Sequence, residues 1–293
     1  MQVNKLILGT AQFGMNYGIT NQHGQIEKPQ ISQILKYAYK NNILTLDTAE
    51  AYNNSEVAIG KNLKNKSEFD IVTKLPPDIA SFDDVDFKVK LAFNNSINRL
   101  GLSKLYGLLV HRSADLFGKN GNLVWEEMQA LKDSGLVEKI GVSVYDGKEI
   151  DRVLKKFPID LIQLPCNIVD QRLLKSGHLS MLHKAGIEVH MRSIFLQGIL
   201  LEEPNKLPTS FIPFVNKLSK LRAKLDELKI SPLEACIGFI KSLPGDNHGV
   251  VGISSLQDFH EIVNTWKKTL EINLPDLSID DEHLLNPVLW PTR

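Results

Sequence analysis

The stretch Ile43-Leu44-Thr45-Leu46-Asp47 is a short, almost wholly apolar run that ends in a charged residue. Two later stretches have the same design, Ile71-Val72-Thr73-Lys74 and Leu108-Leu109-Val110-His111. A run of this length without polar alternation is typical of a parallel strand that is covered on both faces. The three stretches therefore predict parallel strands, each with an ionisable residue at its carboxyl end.

Similar runs continue along the chain in both directions, and helical patterns lie between them. An eightfold alternation of strand and helix favours a closed barrel over an open sheet. We therefore predict an α/β protein, a single (β/α)8 TIM barrel over residues 1–293, with an extra helix between strands seven and eight and a C-terminal tail. The strand candidates are Leu6–Leu8, Ile43–Leu46, Phe69–Thr73, Tyr106–Val110, Lys139–Ser143, Leu161–Leu164, Glu188–Arg192 and Val250–Ile253. The helix candidates are the stretches around Ile31 to Ala38 and Val89 to Ile97, then Leu123–Lys132, Ile150–Lys155, Ser176–Ala185, Val215–Leu228, Pro232–Leu243 and Gln257–Lys267.

The composition excludes several classes of function. The chain has 293 residues, and its 34 Lys and Arg balance 34 Asp and Glu, so charge predicts neither nucleic acid nor an anionic membrane as a partner. No stretch approaches the ~18 apolar residues of a membrane span, and the first residues do not resemble a signal peptide. Cys166 and Cys236 have no metal-ligand spacing, so we predict no metal site, and two isolated cysteines fit a reduced, cytoplasmic setting.

The glycines after the first strand exclude one mode of nucleotide binding. Gly9-Thr-Ala-Gln-Phe-Gly14 does not have the Gly-x-Gly-x-x-Gly spacing of a Rossmann site. Any nucleotide is therefore expected to bind elsewhere at the barrel mouth.

Four candidate catalytic residues follow three neighbouring strands. Asp47 ends the second strand and Tyr52 lies five residues later, while Lys74 and His111 end the third and fourth strands. Because the carboxyl ends of barrel strands form the active face, we expect the four side chains to converge. Taken one at a time, each has a structural explanation: Tyr52 in loop packing, Asp47 as a helix cap, Lys74 as a solvated strand end, His111 as a buried histidine.

Together these residue types suit proton transfer to a carbonyl oxygen. A tyrosine with an ordinary pKa near 10 is a poor acid at neutral pH, and a neighbouring ammonium lowers the pKa of a phenol. A carboxylate fixes the lysine, and a histidine hydrogen-bonds the substrate oxygen. A carbonyl that accepts hydride needs both a proton and stabilisation of its oxyanion.

The stretch Asp47-Thr-Ala-Glu-Ala-Tyr-Asn-Asn-Ser-Glu56 resembles the signature of the aldo-keto reductase family. Stretches further along the chain continue the resemblance in order and at barrel spacing: Leu6-Ile-Leu-Gly-Thr10, Ile71-Val-Thr-Lys74, Leu109-Val-His-Arg-Ser-Ala-Asp115, Ser134-Gly-Leu-Val-Glu-Lys-Ile-Gly-Val-Ser143, Gln163-Leu-Pro-Cys-Asn167 and Ser193-Ile-Phe-Leu-Gln-Gly198. The resemblance covers nearly the whole chain. It implies an oxidoreductase that moves hydride between a nicotinamide cofactor and a small-molecule carbonyl or polyol.

The resemblance also implies roles for individual residues. Asp47, Tyr52, Lys74 and His111 would form a catalytic tetrad, with Tyr52 as the general acid. Ser143 and Gln163 would hold the nicotinamide carboxamide, with hydrogen bonding inside the barrel as the alternative. The pyrophosphate would pass near Ser193, Phe195, Leu196, Gln197 and Gly198, and the adenosine end would lie against Gly252, Ser254, Ser255 and Glu261. The two late serines also suit a helix cap, which is itself compatible with phosphate binding.

The sequence departs from the family pattern where the cofactor would bind. Arg192 stands where relatives place an aromatic residue against the nicotinamide, so its guanidinium either stacks there or turns into the pocket toward an anionic substrate group. Relatives hold the 2′-phosphate of NADP(H) with Lys or Arg after strand eight, whereas this chain has Asp258 and no basic residue there. NADP(H) is the family default, and NAD(H) is the competing prediction.

The substrate is predicted from the polar and stacking residues around the mouth. A sugar or another polar aldehyde or ketone suits them better than an apolar ketone, and the segment from Arg192 to Gly198 resembles bacterial reductases of carbohydrate metabolism. Two other functions compete: a nucleotide-binding regulatory or scaffold barrel without turnover, and a lyase that uses Lys74 as a Schiff base. The substrate residues in question are Arg112, Trp125, Asn167, Arg192 and Gln197.

Overall fold

Eight parallel strands close into a barrel in the computed structural model, which describes residues 5–63, 68–269, 272 and 274–290. Each strand pairs with the next along the chain, and the eighth pairs with the first. This confirms the predicted (β/α)8 fold; the assignment of residues 1–293 to one domain stays a prediction and includes positions outside the described ranges. The strands are β1 (Leu6–Gly9), β2 (Thr45–Asp47), β3 (Asp70–Lys74), β4 (Leu105–Val110), β5 (Val137–Ser143), β6 (Leu161–Pro165), β7 (Glu188–Arg192) and β8 (Asn247–Val251).

Seven of the eight strands differ from their predicted bounds by one to three residues at an end, and β7 alone matches at both ends. The starts of β2 and β8 have identifiable causes. β2 begins at Thr45 rather than Ile43, because the Ile43 N–H donates to the Ala38 carbonyl and still belongs to the end of the preceding helix. β8 begins at the polar Asn247, whose side-chain amide donates to the carbonyls of Leu243 and Pro244. An apolar run therefore places a strand without marking where its hydrogen bonds begin.

Helices lie between consecutive strands; the one between β2 and β3, Ser55–Asn62, has no counterpart among the predicted helices. The predicted helix Ser176–Ala185 begins at His178 instead, because Gly177, in the left-handed region at φ 82°, precedes it as the N-cap. The extra helix before β8 is present, and its successor is capped by Ser231, whose side chain accepts the Glu234 N–H. The α-helices are α1 (Ala11–Gly14), α2 (Lys28–Lys40), α3 (Ser55–Asn62), α4 (Val85–Leu100), α5 (Gly121–Asp133), α6 (Gly147–Leu154), α7 (Arg172–Lys175), α8 (His178–Lys184), α9 (Ile212–Glu227), α10 (Pro232–Ser242), α11 (Leu256–Lys268) and α12 (Glu282–Leu285). Short 3-10 helices cover Ile79–Ser81, Ser113–Phe117, Leu196–Gly198, Pro204–Lys206, Thr209–Phe211 and Pro287–Leu289.

An apolar layer inside the barrel positions the site above it. Val72, Leu109 and Leu161 pack together with almost no exposure. Side chains two positions apart on a strand point to the same face. Lys74, His111 and Gln163 follow these three residues by two positions each, so they lie directly above the apolar layer, at the carboxyl end of the barrel.

None of the helices in the described ranges combines the length and the hydropathy that crossing a bilayer requires. The same residues contain no group of three His, Cys, Asp or Glu side chains placed to hold a metal ion.

Candidate active site

The four candidate catalytic side chains lie together at the barrel mouth. The Lys74 ammonium donates to Asp47 Oδ1 at 2.7 Å and lies 5.2 Å from the centre of the Tyr52 ring. The rings of Tyr52 and His111 are perpendicular, with centres 6.1 Å apart. A phenol, an ammonium, a carboxylate and an imidazole from neighbouring strand ends therefore share one small region.

Asp47 and Lys74 form a buried ion pair. Their side chains are 5% and 1% exposed, and the ammonium also donates to the Thr48 carbonyl at 2.8 Å. Asp47 Oδ1 accepts a second hydrogen bond, from Gln163 Nε2 at 2.7 Å. One Gln163 donor is therefore used inside the barrel, as the structural alternative for that residue predicts.

The loop that carries Tyr52 is tied to the start of the chain. Ser55 Oγ donates to the Thr10 carbonyl at 2.8 Å, and Thr10 Oγ1 donates to the Asp47 carbonyl at 2.8 Å. Gly14 lies so close that an added Cβ would be 1.9 Å from the Tyr52 carbonyl oxygen. The loop is therefore held by contacts that any side chain at position 14 would break.

Burial governs the protonation of Tyr52. Desolvation raises the pKa of the phenol far above its ordinary value, and the Asp47 carboxylate raises it further, while Arg192 lowers it. The sequence-based expectation of a lowered pKa is wrong in direction, because desolvation by burial is the largest effect on this phenol. Tyr52 therefore remains a protonated donor throughout the neutral range.

His111 is neutral at physiological pH. Desolvation, then the charge of Lys74, lowers the pKa of the imidazole to about 4. Its Nδ1 is buried without a hydrogen-bond partner. A neutral imidazole beside the Tyr52 ring is suited to hydrogen-bonding a substrate oxygen without adding charge.

Arg192 lies over an aromatic ring of the protein itself. Its guanidinium carbon is 4.1 Å from the centre of the Tyr145 ring, and one terminal nitrogen donates to the Val144 carbonyl at 3.0 Å. The other terminal nitrogen contacts Ser193 Oγ at 3.4 Å. Tyr145 was not predicted from the sequence, because nothing local marks it as a partner for a residue 47 positions away.

A cavity of about 920 Å³ opens beside the catalytic cluster. This volume is at the upper end of the range for ligand pockets. Of the predicted site residues, those that line the cavity are Asp47, Tyr52, Gln163, Arg192, Ser193, Phe195, Gln197, Gly198, Gly252, Ser254 and Glu261.

Five predicted site residues do not line the cavity. Lys74 is buried beneath Tyr52, and His111 contacts Tyr52 from outside the cavity lining. Ser143 is buried on β5, and the Leu196 side chain is fully buried in the core. Ser255 caps α11 by accepting the Asp258 N–H at 3.0 Å, which is the structural alternative for it.

The residues chosen from the sequence as substrate contacts are mostly engaged elsewhere. Asn167 and Trp125 are buried, and Asn167 donates to the Ser193 carbonyl. Arg112 pairs with Asp78 on the surface. Only Arg192 and Gln197 of that group line the cavity.

Elsewhere in the cavity lining, Asp258 accepts hydrogen bonds from both donors of Ser254. The Ser254 N–H donates to Asp258 Oδ2 at 3.1 Å, and the Ser254 hydroxyl donates to the same oxygen. Lys206, from the loop after β7, lines the same cavity. Both donors of Ser254 are therefore already engaged.

Other lining residues were missed by the sequence reasoning. Gln12 is 8% exposed, lies beside Gly252, and its Oε1 has no partner. Tyr17 also lines the cavity, with its ring centre 6.5 Å from that of Tyr52. Both follow β1, and loops after barrel strands form the mouth, so their position along the chain is the one signal that would have found them.

Comparison with known proteins places the chain among reductases. The sequence profile of the Aldo/keto reductase family matches residues 5–274. An aldo-keto reductase of Mycolicibacterium vanbaalenii is 30% identical over 138 residues, so the match spans about half of each protein: 45% of this chain and 46% of the relative.

Solved structures share the fold at low sequence identity. The holo form of an aldo-keto reductase from Bacillus halodurans superposes with a TM-score of 0.73 at 20% identity, covering 92% of this chain and 88% of that one. An aldo-keto reductase of Bombyx mori in complex with NADP gives a TM-score of 0.64 at 19% identity, with the same coverages of 92% and 88%. A Klebsiella pneumoniae relative in complex with NADP and acetate gives 0.66 at 16% identity, covering 98% and 92%.

Proposed function

The chain belongs to the aldo/keto reductase family, and we propose that it transfers hydride between a nicotinamide cofactor and a polar carbonyl compound or its alcohol. The cluster of Tyr52, Lys74, Asp47 and His111 beside a cavity of about 920 Å³ is the observation that carries the proposal. A sugar or another polyhydroxy carbonyl compound is the proposed substrate class, which places the enzyme in carbohydrate metabolism. The free, buried thiols of Cys166 and Cys236 support a cytoplasmic location.

The cavity suits a dinucleotide. Gln12 Oε1 is a buried acceptor without a partner in the cavity lining, and a ligand that donates a hydrogen bond would satisfy it. Gly252, Ser193 and Gln197 line the same cavity as Tyr52. When bound, the reduced nicotinamide supplies the hydride.

Tyr52 supplies the proton in this proposal. Its O–H bond breaks as the substrate oxygen takes the proton, and the phenolate that remains is stabilised by the Lys74 ammonium. Asp47 holds that ammonium in place, and His111 donates a hydrogen bond to the substrate oxygen. Solvent then returns a proton to Tyr52, which completes the balance for reduction.

Asp258 bears on the choice of cofactor. Its carboxylate takes both donors of Ser254, so a 2′-phosphate here would meet a negative charge in place of two hydrogen-bond donors. Lys206, a cation in the lining of the same cavity, opposes this effect. We propose that the enzyme accepts NAD(H) as well as NADP(H), the family default.

The scaffold and lyase alternatives have less support. A barrel that only binds nucleotide does not need a protonated phenol beside a buried lysine–aspartate pair. A Schiff-base lyase needs a free amine, whereas Lys74 donates to Asp47 and to the Thr48 carbonyl and is 1% exposed.

Steady-state absorbance at the nicotinamide band, with NADH and NADPH and a panel of sugars and aldehydes, tests the proposal. Tyr52→Phe is expected to lower kcat by at least about a hundredfold while the cofactor dissociation constant stays near wild type, because only the proton donor is lost. Tyr39→Phe, at an exposed tyrosine on α2, is the matched control. Turnover in Tyr52→Phe equal to wild type would contradict the catalytic role, and cofactor binding without any turnover in the wild type would favour the scaffold.

A further inference from the structure

On the premise of the carbonyl chemistry proposed above, we propose that Arg192 binds an anionic group of the substrate. The preferred substrates then carry a carboxylate or a phosphate in the same molecule as the reacting carbonyl. Arg192 is in this view a specificity-determining residue, distinct from the groups that move the proton.

The guanidinium of Arg192 is held in a fixed position. Tyr145 covers one of its faces, and the carbonyl of Val144 and the hydroxyl of Ser193 accept hydrogen bonds from its two terminal nitrogens. A guanidinium has five N–H donors. Two of them are used in these contacts, so three remain for a ligand.

No carboxylate in the described part of the chain lies within ion-pair distance of Arg192. Other arginines have such partners: Arg99 pairs with Glu56 at 2.7 Å and Arg172 with Asp170 at 2.8 Å. Arg192 is half-buried, and a charge withdrawn from water without a partner is costly. A cation of this kind, facing a cavity, is suited to a ligand that brings the counter-charge.

Arg192 also acts on the groups that would carry the chemistry. Its charge lowers the pKa of Tyr52 and the pKa of His111, so its field reaches both side chains. The nearby carboxylate of Asp47 is compensated by Lys74 and Gln163. When the carbonyl of a substrate lies at Tyr52, the rest of the substrate is therefore in the electric field of Arg192, which favours a negatively charged group.

The geometry favours binding through the edge of the guanidinium rather than stacking. Tyr145 already occupies one face, and a cationic plane against an oxidised nicotinamide would be repulsive. The edge of a guanidinium matches the paired oxygens of a carboxylate or a phosphate. Both groups can present two acceptor oxygens in the plane of the guanidinium. Matched substrate pairs distinguish a carboxylate from a phosphate.

The experiment compares matched anionic and neutral substrates. The carboxylate pair is D-glucuronate and D-glucose, and the phosphate pair is D-glyceraldehyde 3-phosphate and D-glyceraldehyde. In the wild type, kcat/KM is expected to favour at least one anion by about tenfold to a hundredfold, which is the usual worth of a charged hydrogen bond. Arg192→Gln is expected to remove this preference, and the pair that responds identifies the anion.

Arg152→Gln is the matched control. Arg152 lies 4.0 Å over the Phe117 ring, which is the same stacked arrangement, but it is outside the cavity. The control removes the same charge from the protein but at a site outside the cavity. It is therefore expected to keep the preference for the anion. An equal loss of kcat/KM for anionic and neutral substrates in Arg192→Gln would overturn the proposal, as would a wild type without preference or an effect confined to cofactor affinity.

Binding without turnover separates this proposal from the proposed function. D-gluconate and D-sorbitol have no carbonyl to reduce, and calorimetry without cofactor measures their affinities directly. D-gluconate is expected to bind the wild type at least tenfold more tightly than it binds Arg192→Gln, with no such difference for D-sorbitol. Glycerol 3-phosphate, compared with glycerol, is the equivalent probe for a phosphate. Equal affinities of both proteins for D-gluconate and for glycerol 3-phosphate would refute the role of Arg192, whereas absent turnover with intact binding of either anion would count only against the reductase activity.

Discussion

Replacing Lys74 by methionine would leave the Asp47 carboxylate buried with one neutral donor. At present Asp47 Oδ1 accepts from Lys74 and from Gln163, each at 2.7 Å, and the Asp47 side chain is 5% exposed. In Lys74→Met only the Gln163 amide remains. Breaking a buried ion pair by removing one partner destabilises a protein by about 3–5 kcal/mol.

Protonation limits this loss. A carboxyl can avoid being charged by taking up a proton, and holding that proton at a pH above the ordinary aspartate range near pH 4 costs about 1.4 kcal/mol per pH unit. At pH 7 this route costs about 4 kcal/mol, and at pH 5 about 1.5 kcal/mol. The free energy of unfolding of Lys74→Met is therefore expected to be about 3–4 kcal/mol below that of the wild type at pH 7, with a smaller deficit at pH 5.

Equilibrium urea unfolding at the two pH values measures the effect. Lys132→Met is the control, because Lys132 pairs with Asp160 at 2.6 Å but both side chains are about one-third exposed, and such pairs are worth at most about 1 kcal/mol. Asp47→Asn combined with Lys74→Met removes both charges and is expected to recover most of the loss. A deficit below about 1 kcal/mol at pH 7, one that does not shrink at pH 5, or a double variant less stable than Lys74→Met would refute the reasoning.

Two further predictions concern the cofactor and the imidazole. Asp258→Asn is expected to raise the ratio of kcat/KM for NADPH over NADH by about tenfold, because one negative charge leaves the proposed adenosine end. An unchanged ratio would exclude Asp258 from cofactor selection. The ring protons of His111 are expected to titrate by NMR near pH 4, so kcat/KM has no His111 step between pH 6 and 8. Because the folded pKa is below the ordinary value of 6.5, His111 favours the folded state at neutral pH and this contribution is lost as the pH falls from 6.5 to about 4; a titration near pH 6.5 would contradict the burial argument.

The barrel was predictable because its signal is local. Each strand is a short apolar run, and each helix carries its own pattern, so the order of elements follows from neighbouring residues. The ends of the strands were equally predictable. Lys74 and His111 each end an apolar run, and the carboxyl ends of barrel strands lie on one face. The bounds of β2 and β8 were harder to predict, because hydrogen bonds to Ala38 and Leu243 determine them.

Sequence alone thus fixed the order of strands and helices and the identity of the ionisable residues around the mouth, because alternation and strand ends are properties of adjacent positions. Tertiary structure alone decided that Tyr145 covers Arg192, that Asp258 takes the donors of Ser254, and that burial raises the pKa of Tyr52 instead of Lys74 lowering it. Desolvation and charge pairing depend on which distant segments exclude water from a group, and a linear pattern of residues does not contain that information.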